Sequence, residues 1–339
     1  MNMPLFDENI FLREQVFVVF HPGASGNFFT NLIRNLKNNF TDHISIGPTG
    51  SCHTITPEIE KENRLFSCGT FFIQQAKIKP YSFENRVSYY KNYILQHFDP
   101  TIKTGVTWTH DFTNIPVYRK LFPNSKILAV TQETPEEKLC VTILQQLKNI
   151  LSKDALNILS ESARAKYNAI WEQECKEILR SIVGVENESL IEDIFKDRFN
   201  HEYRDILTYL SVYRILQESN MLGILDNYDT IDTINYVSYY DNPNSTAKNK
   251  RILIGPYSKY IDDNCFLLPY KYIMCGNTEQ ILDTFTNLLG PLSETQQKYA
   301  ASELERYRTN QPYKVLKDPI GYMKSLRDDV MNQISIIVR

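Results

Sequence analysis

The sequence lacks the long apolar run that a membrane-spanning helix needs, because no segment reaches about 18 consecutive apolar residues. Its first residues, MNMPLFDENIFLRE, are too acidic and too interrupted for a secretory signal. It also lacks any run rich in Lys or Arg, and its formal net charge is −3. These absences argue against a membrane protein and against a nucleic-acid-binding protein. We therefore expect a cytoplasmic protein whose partners are small molecules or proteins.

Paired cysteines are missing as well. The six cysteines form no C-x-x-C pair and show no metal-ligand spacing with the six histidines. A chain of 339 residues can bury its core without disulfides. We therefore expect reduced thiols, no structural zinc site and no metal cofactor.

Two common nucleotide-binding motifs are also absent. There is no G-x-x-x-x-G-K-[ST] run, which would place a lysine on the phosphates of ATP. There is no G-x-G-x-x-G run either, and no acidic residue follows at the end of a second strand. An ATP-driven enzyme and a dinucleotide-binding fold are both disfavoured.

The stretch VFVVFHPGASGNFFTNLIRNL, residues 16–36, predicts a buried strand, a tight turn and an amphipathic helix. Residues 16–20 are continuously apolar, as in a strand covered on both faces of a parallel sheet. Residues typical of turns follow: Pro22, Gly23, Ser25 and Gly26. We predict a helix that begins near Gly26 or Asn27. The unpaired N–H groups and the dipole at such a helix start favour a bound phosphate or sulfate.

Further strands and helices alternate along the chain. The patterns predict a helix over 83–98, a strand over 105–109, a short helix over 115–122, a strand over 126–131 and a helix over 136–150. Thr134 is the expected N-cap of the last helix, with Pro135 at its first turn. This alternation is typical of an α/β fold, with a parallel sheet flanked by helices.

The remainder of the chain is mostly helical in pattern. Residues 154–220 show long helical periodicity, so we predict a helical insertion over 151–225 within a single domain spanning 1–339. Strand-like composition returns at 233–240 and 251–254. Three helices are then predicted, near 277–290, 293–307 and 319–334.

Three segments resemble the sulfotransferase family. FHPGASGNFFTNLI is similar to the family's phosphosulfate-binding loop. VTWTHDFTNIPVYRKLFPNSKILAVTQETPEEKLCVTIL is similar to the segment in which Thr-His ends a strand and a second strand leads to the 3′-phosphate site. LPYKYIMCGNTEQILDTFTNLLG is similar to a late tyrosine-containing strand, a helix and a Leu-Gly stop. The resemblance implies a three-layer, P-loop-like fold and 3′-phosphoadenosine-5′-phosphosulfate (PAPS) as co-substrate, with no metal.

The resemblance also implies roles for individual residues. His110 matches the general base, and an imidazole with a pKa of about 6.5 can take the acceptor's proton at neutral pH. Gln132 and Cys140 match the 3′-phosphate contacts. The 5′-phosphosulfate would lie on the loop formed by Gly23, Ala24, Ser25, Gly26, Asn27 and Phe28.

The chain departs from the family pattern at its two usual cations. The loop's Lys or Arg is replaced by Gly23 or Ala24, and the Arg that follows the second strand is replaced by Gln132. An arginine makes charge-assisted bidentate contacts with phosphate that a glutamine does not make. Lys138 and His21 are the candidates for compensation.

Three functions stay open at this point. The first is transfer of a sulfuryl group from PAPS to a hydroxyl or amine of a small-molecule or glycan acceptor. The second is a P-loop-type nucleotide-binding or phosphotransferase relative, and the third is a non-catalytic binding protein that keeps the fold. The residues do not identify the acceptor or the oligomeric state.

Overall fold

The computed structural model of the chain describes residues 11–12, 14–20, 24, 26–37, 83–97, 105–109, 112, 115–132, 134–151, 161–184, 187–196, 203–218, 222, 261, 263–310 and 313–337. The chain forms two compact units. The first unit spans residues 1–133, 238–245 and 256–311, and the second spans 134–237, 246–255 and 312–339. The strands predicted at 233–240 and 251–254 lie outside the described residues.

The described part of the chain contains four strands and twelve helices. In chain order they are β1 (Val16–Phe20), α1 (Gly26–Lys37), α2 (Phe83–His97), β2 (Val106–Thr109), α3 (Ile115–Leu121), β3 (Lys126–Thr131), α4 (Pro135–Leu151), α5 (Glu161–Val183), α6 (Glu188–Lys196), α7 (Arg204–Glu218), β4 (Cys265–Pro269), α8 (Lys271–Met274), α9 (Thr278–Leu289), α10 (Glu294–Asn310), α11 (Tyr313–Lys317) and α12 (Pro319–Ile337).

The four strands form one parallel sheet in the first unit, in the order β2-β1-β3-β4. Val16 of β1 pairs with Val106 on one side and with Lys126 on the other. Every residue of β1 is at most 2% exposed. A strand that is apolar throughout needs cover on both faces, as parallel sheets provide. The predicted parallel α/β arrangement is therefore confirmed.

Helices cover both faces of this sheet. Phe17 of β1 stacks on Tyr118 of α3 with ring centroids 4.1 Å apart. The same cluster contains Val19 of β1 and Tyr90 of α2. Because side chains alternate along a strand, Phe20 points to the opposite face. There α1 packs against β1 and β2. The two faces therefore bury two separate sets of apolar side chains.

Gly26 allows α1 to begin directly against the end of β1. A Cβ atom at Gly26 would lie 1.8 Å from two ring carbons of Phe20. Phe20 is itself 2% exposed, and its ring lies 5.8 Å from that of Trp108. The ring has no room to retreat, so only glycine fits at the first residue of α1.

The second unit contains α4, α5, α6, α7, α11 and α12, whereas α8, α9 and α10 belong to the first unit. Within the second unit, α7 packs against α4, α5 and α12. Arg214 of α7 is 3% exposed, and its Nη1 lies 2.9 Å from Glu174 Oε2 of α5. Trp171 Nε1 donates to Ser211 Oγ at 3.0 Å. These polar contacts fix α7 against α5 within an otherwise apolar interface.

Most predicted elements are confirmed where the structure describes them. The helix predicted over 136–150 begins at Pro135, and Thr134 caps it: Glu137 N donates to Thr134 Oγ1 at 3.2 Å, and Thr134 N donates to Glu137 Oε2 at 2.7 Å. The late strand ends at Pro269, before the tyrosines that the sequence places in it. The described part of 154–220 is helical. That the whole chain is one domain with an insertion at 151–225 stays a prediction.

Substituting Gly26 tests the close approach of α1 to β1. We expect Gly26→Ala to lower the free energy of unfolding by about 1–3 kcal/mol, because the added methyl group overpacks a buried ring. Adding Phe20→Leu should make the double variant more stable than the sum of the two single effects predicts. Urea denaturation measures all three variants.

Gly321→Ala is the matched control for this substitution. Its Cβ would also be crowded, 2.1 Å from Asp318 Oδ2, but that carboxylate is exposed, so its displacement costs at most the one exposed hydrogen bond that Gly321 N donates to Oδ1 at 2.8 Å. Equal destabilisation by the two glycine substitutions would contradict our account of Gly26.

Candidate functional site

All four strands end at the same edge of the sheet, which we call the carboxyl edge. β2 and β3 lie on opposite sides of β1, so the chain reverses its direction across the sheet at β1. Ligands of α/β proteins bind in the crevice that such a reversal creates. Thr109 ends β2 and pairs with Val19. The predicted base His110 follows Thr109 in the chain but lies outside the described residues.

The structure describes part of the predicted anion loop. Ala24 and Phe28 are fully buried, and Gly26 begins α1. Thr30 Oγ1 donates to the Gly26 carbonyl at 2.7 Å, and the first turn of α1 has no acidic residue. Asn27 belongs to α1, whereas three further predicted residues lie outside the described part: His21, Gly23 and Ser25. The start of α1 therefore presents a positive helix end with no carboxylate in its first turn.

Two consecutive residues at the end of β3 leave buried polar atoms unpaired. Gln132 is 4% exposed, and neither its Nε2 nor its Oε1 has a hydrogen-bond partner among the described residues. Thr131 is 5% exposed, and its Oγ1 is also unpaired there. β3 pairs with β1 up to Phe20 and Val130, so Gln132 lies two residues beyond that pair. The great majority of buried polar atoms in proteins are paired, so these require an explanation.

Lys138 and Cys140, which sequence reasoning places at the 3′-phosphate site, lie on α4 in the second unit. Burial lowers the pKa of Lys138, and the neighbouring Glu137 opposes this shift. Cys140 is 0% exposed, and burial raises the pKa of its thiol. Cys140 is therefore a neutral, buried thiol. Phosphate contacts by these two residues stay predictions.

Sequence reasoning missed two basic residues near the carboxyl edge. Lys271 begins α8, two residues after β4 ends, and its Nζ lies 5.9 Å from the centre of the Tyr272 ring. Arg308 of α10 donates from Nη1 to Thr278 Oγ1, at the first residue of α9, at 3.0 Å. Its Nε and Nη2 are buried and have no hydrogen-bond partner in the described part of the chain. A guanidinium with unpaired donors therefore lies at the start of α9.

Contacts along α10 show that its C-terminal end lies close to the start of α1. Asn35 Nδ2, near the end of α1, donates to the hydroxyl of Tyr299 at 2.8 Å. Phe28, in the first turn of α1, stacks on Tyr307 with ring centroids 4.3 Å apart. The two helices are therefore antiparallel, and the residue next to Arg308 packs on the first turn of α1. Sequence alone does not distinguish Arg308 from Arg306, because the packing of α10 on α1 joins segments about 280 residues apart.

No group of three or more His, Cys, Asp or Glu side chains that could hold a metal ion is present among the described residues. None of the described helices is long and apolar enough to cross a membrane. No family model, no curated protein and no solved structure matches the chain.

Removing the unpaired polar atoms tests whether they serve the fold. We expect Gln132→Met to raise the free energy of unfolding of the ligand-free chain by about 1–3 kcal/mol, because each buried unpaired group costs about that much. Thr131→Val should raise it by about 1 kcal/mol for the same reason. Both changes are measured by urea denaturation.

Thr30→Val is the matched control, because Thr30 is equally buried but its hydroxyl has a partner. It should leave the free energy of unfolding unchanged or lower it by about 1 kcal/mol. If Gln132→Met and Thr131→Val destabilise the chain as much as Thr30→Val does, their polar atoms serve the fold rather than a ligand.

Proposed function

We propose that the chain is a sulfotransferase-like enzyme that binds PAPS at the carboxyl edge and transfers its sulfuryl group to a hydroxyl or amine acceptor. The observation that supports this most is the buried amide of Gln132. The resemblance places the 3′-phosphate contact at this residue, and the amide is unpaired among the described residues, in the region where ligands of α/β proteins bind. Nε2 is a suitable donor to a phosphate oxygen.

In the proposed reaction, His110 takes the proton from the acceptor hydroxyl as its oxygen attacks the sulfur of PAPS. The new oxygen–sulfur bond forms while the bond from sulfur to the bridging oxygen breaks. The electron pair of that bond stays with the 5′-phosphate, so the products are the sulfated acceptor, 3′-phosphoadenosine-5′-phosphate (PAP) and protonated His110. The loop residues 23–28 and the start of α1 stabilise the negative charge that develops on the leaving phosphate.

Binding of PAP to the full chain tests the proposed site. We expect calorimetry to detect PAP binding and no stronger binding of ATP with Mg²⁺, since the chain has no G-x-x-x-x-G-K-[ST] motif. Gln132→Met should weaken PAP binding about threefold to tenfold, the effect of one lost neutral hydrogen bond.

Gln15→Met is the matched control for Gln132→Met. Gln15 is 2% exposed and also has an unpaired amide oxygen among the described residues, but it precedes β1 at the opposite edge of the sheet. This variant should bind PAP like the wild type. Absence of PAP binding at millimolar concentration would falsify the proposed function, and tighter binding of Mg²⁺-ATP would favour a phosphotransferase relative.

Substitution of His110 separates binding from chemistry. We expect His110→Ala to bind PAP normally but to release PAP from PAPS about 10²–10⁴ times more slowly with a panel of hydroxyl and amine acceptors. The wild-type rate should fall as the pH is lowered into the acid range, because a protonated imidazole cannot accept a proton. Unchanged PAP release by this variant in the presence of an active acceptor would show that His110 is not the base.

A further inference from the structure

We propose that Arg308 and the start of α9 form an anion-binding site at the carboxyl edge, which takes the sulfate or phosphate group of a ligand. The residues are adjacent in the structure: Arg308 Nη1 donates to Thr278 Oγ1 at 3.0 Å. The remaining guanidinium nitrogens, Nε and Nη2, would donate to the oxygens of the anion in the planar, bidentate manner typical of arginine.

The guanidinium is buried but only partly paired. The Arg308 side chain is 12% exposed, and both Nε and Nη2 are shielded from water without a partner in the described part of the chain. Hydrogen bonds to charged groups are among the stronger ones, and leaving a buried charged donor unpaired is correspondingly unfavourable. An anion with two acceptor oxygens would satisfy both nitrogens at once.

The charge of Arg308 is poorly neutralised within the chain. Glu305 Oε2 lies 3.5 Å from Nη1, but the Glu305 side chain is 73% exposed, so solvent screens the pair. Burial lowers the pKa of Arg308, and Glu305 opposes that shift only in part. The ion pair of Arg214 in the second unit is less screened by solvent, because its partner Glu174 is only 17% exposed. Arg308 therefore has no buried counterion among the described residues.

The backbone around Arg308 also favours negative charge. α9 has 12 residues, and its N-cap Asn277 makes no side-chain capping hydrogen bond. Gly276, with φ +74°, turns the chain into this helix beside the guanidinium. A helix of this length presents a partial positive charge at its start, which adds to that of the arginine, and the exposed carboxylate of Glu279 in the first turn offsets part of it.

Arg308 would supply the cation that the loop at residues 23–28 lacks. Tyr307, its neighbour in α10, stacks on Phe28 in the first turn of α1. The end of α10 that carries Arg308 therefore lies near the starts of both α1 and α9. This link to a donor nucleotide rests on the proposed function, whereas the anion site itself does not.

Binding of inorganic sulfate tests the site in the full chain. Calorimetry and thermal shift are run at low, constant ionic strength, with sodium chloride as the matched salt. We expect Arg308→Met to weaken sulfate binding by about tenfold or more, the effect of losing charge-assisted hydrogen bonds. Arg308→Lys keeps the charge but not the planar guanidinium, so its sulfate affinity should fall between those of the wild type and Arg308→Met. This variant also provides the test if Arg308→Met does not fold.

Arg306→Met is the matched control on the same helix, because Arg306 pairs with Glu303 through Nε and Oε2 at 3.1 Å. It should bind sulfate like the wild type. Equal sulfate affinity in the wild type, Arg308→Met and Arg308→Lys would overturn the site, as would absence of sulfate binding to the wild type. Sulfate binding that depends on Arg308, without PAP binding, would support the site and refute the proposed function. PAP binding that is unchanged in Arg308→Met would refute only the link between this site and the donor nucleotide.

Discussion

The parallel pairing of β1 between β2 and β3 is the constraint on which the first unit depends. Every residue of β1 is apolar and at most 2% exposed, so the strand requires neighbours on both sides and helices on both faces. Such a strand has no exposed side chain that could contact a ligand. Polar groups that bind a ligand must therefore collect where the strands end, and the parallel arrangement gathers those ends at one edge.

That constraint explains why the sequence predicts so much of this unit. A continuous apolar run at 16–20 and helical spacing from Phe28 to Leu36 are local patterns, and burial of both segments confirms them. The capping box of Thr134 and Glu137 is also local, because its partners are three residues apart. The position of Gln132 at the end of a strand can also be predicted from the sequence, because Gln132 comes directly after a buried strand in the chain.

The parts that sequence reasoning missed depend on tertiary contacts. Arg308 lies in a polar helix whose pattern gives no sign that one guanidinium is buried against the start of α9. α11 has five residues, too few for a periodic pattern. The strand Cys265–Pro269 is partly exposed, with Leu267 at 44%, so its sequence does not show where pairing stops. The last hydrogen bond to β3 is donated by Tyr270 N to the Thr131 carbonyl at 2.8 Å, and Tyr270 then takes the helical backbone conformation that leads into α8.

The unpaired atoms at the two edges of the sheet differ in chemistry, and this difference favours the carboxyl edge as the ligand site. At the opposite edge, among the described residues, Gln15 leaves an acceptor oxygen unpaired and Ser125 a hydroxyl. At the carboxyl edge, Gln132 leaves both its amide donor and its amide acceptor unpaired and Thr131 a hydroxyl, but Arg308 adds unpaired N–H donors that carry positive charge. Buried unpaired donors lower the stability of the empty chain, so their presence at one edge fits selection for binding rather than for stability. The ligand that would pair with them is one rich in anionic oxygens, such as a phosphate or sulfate group.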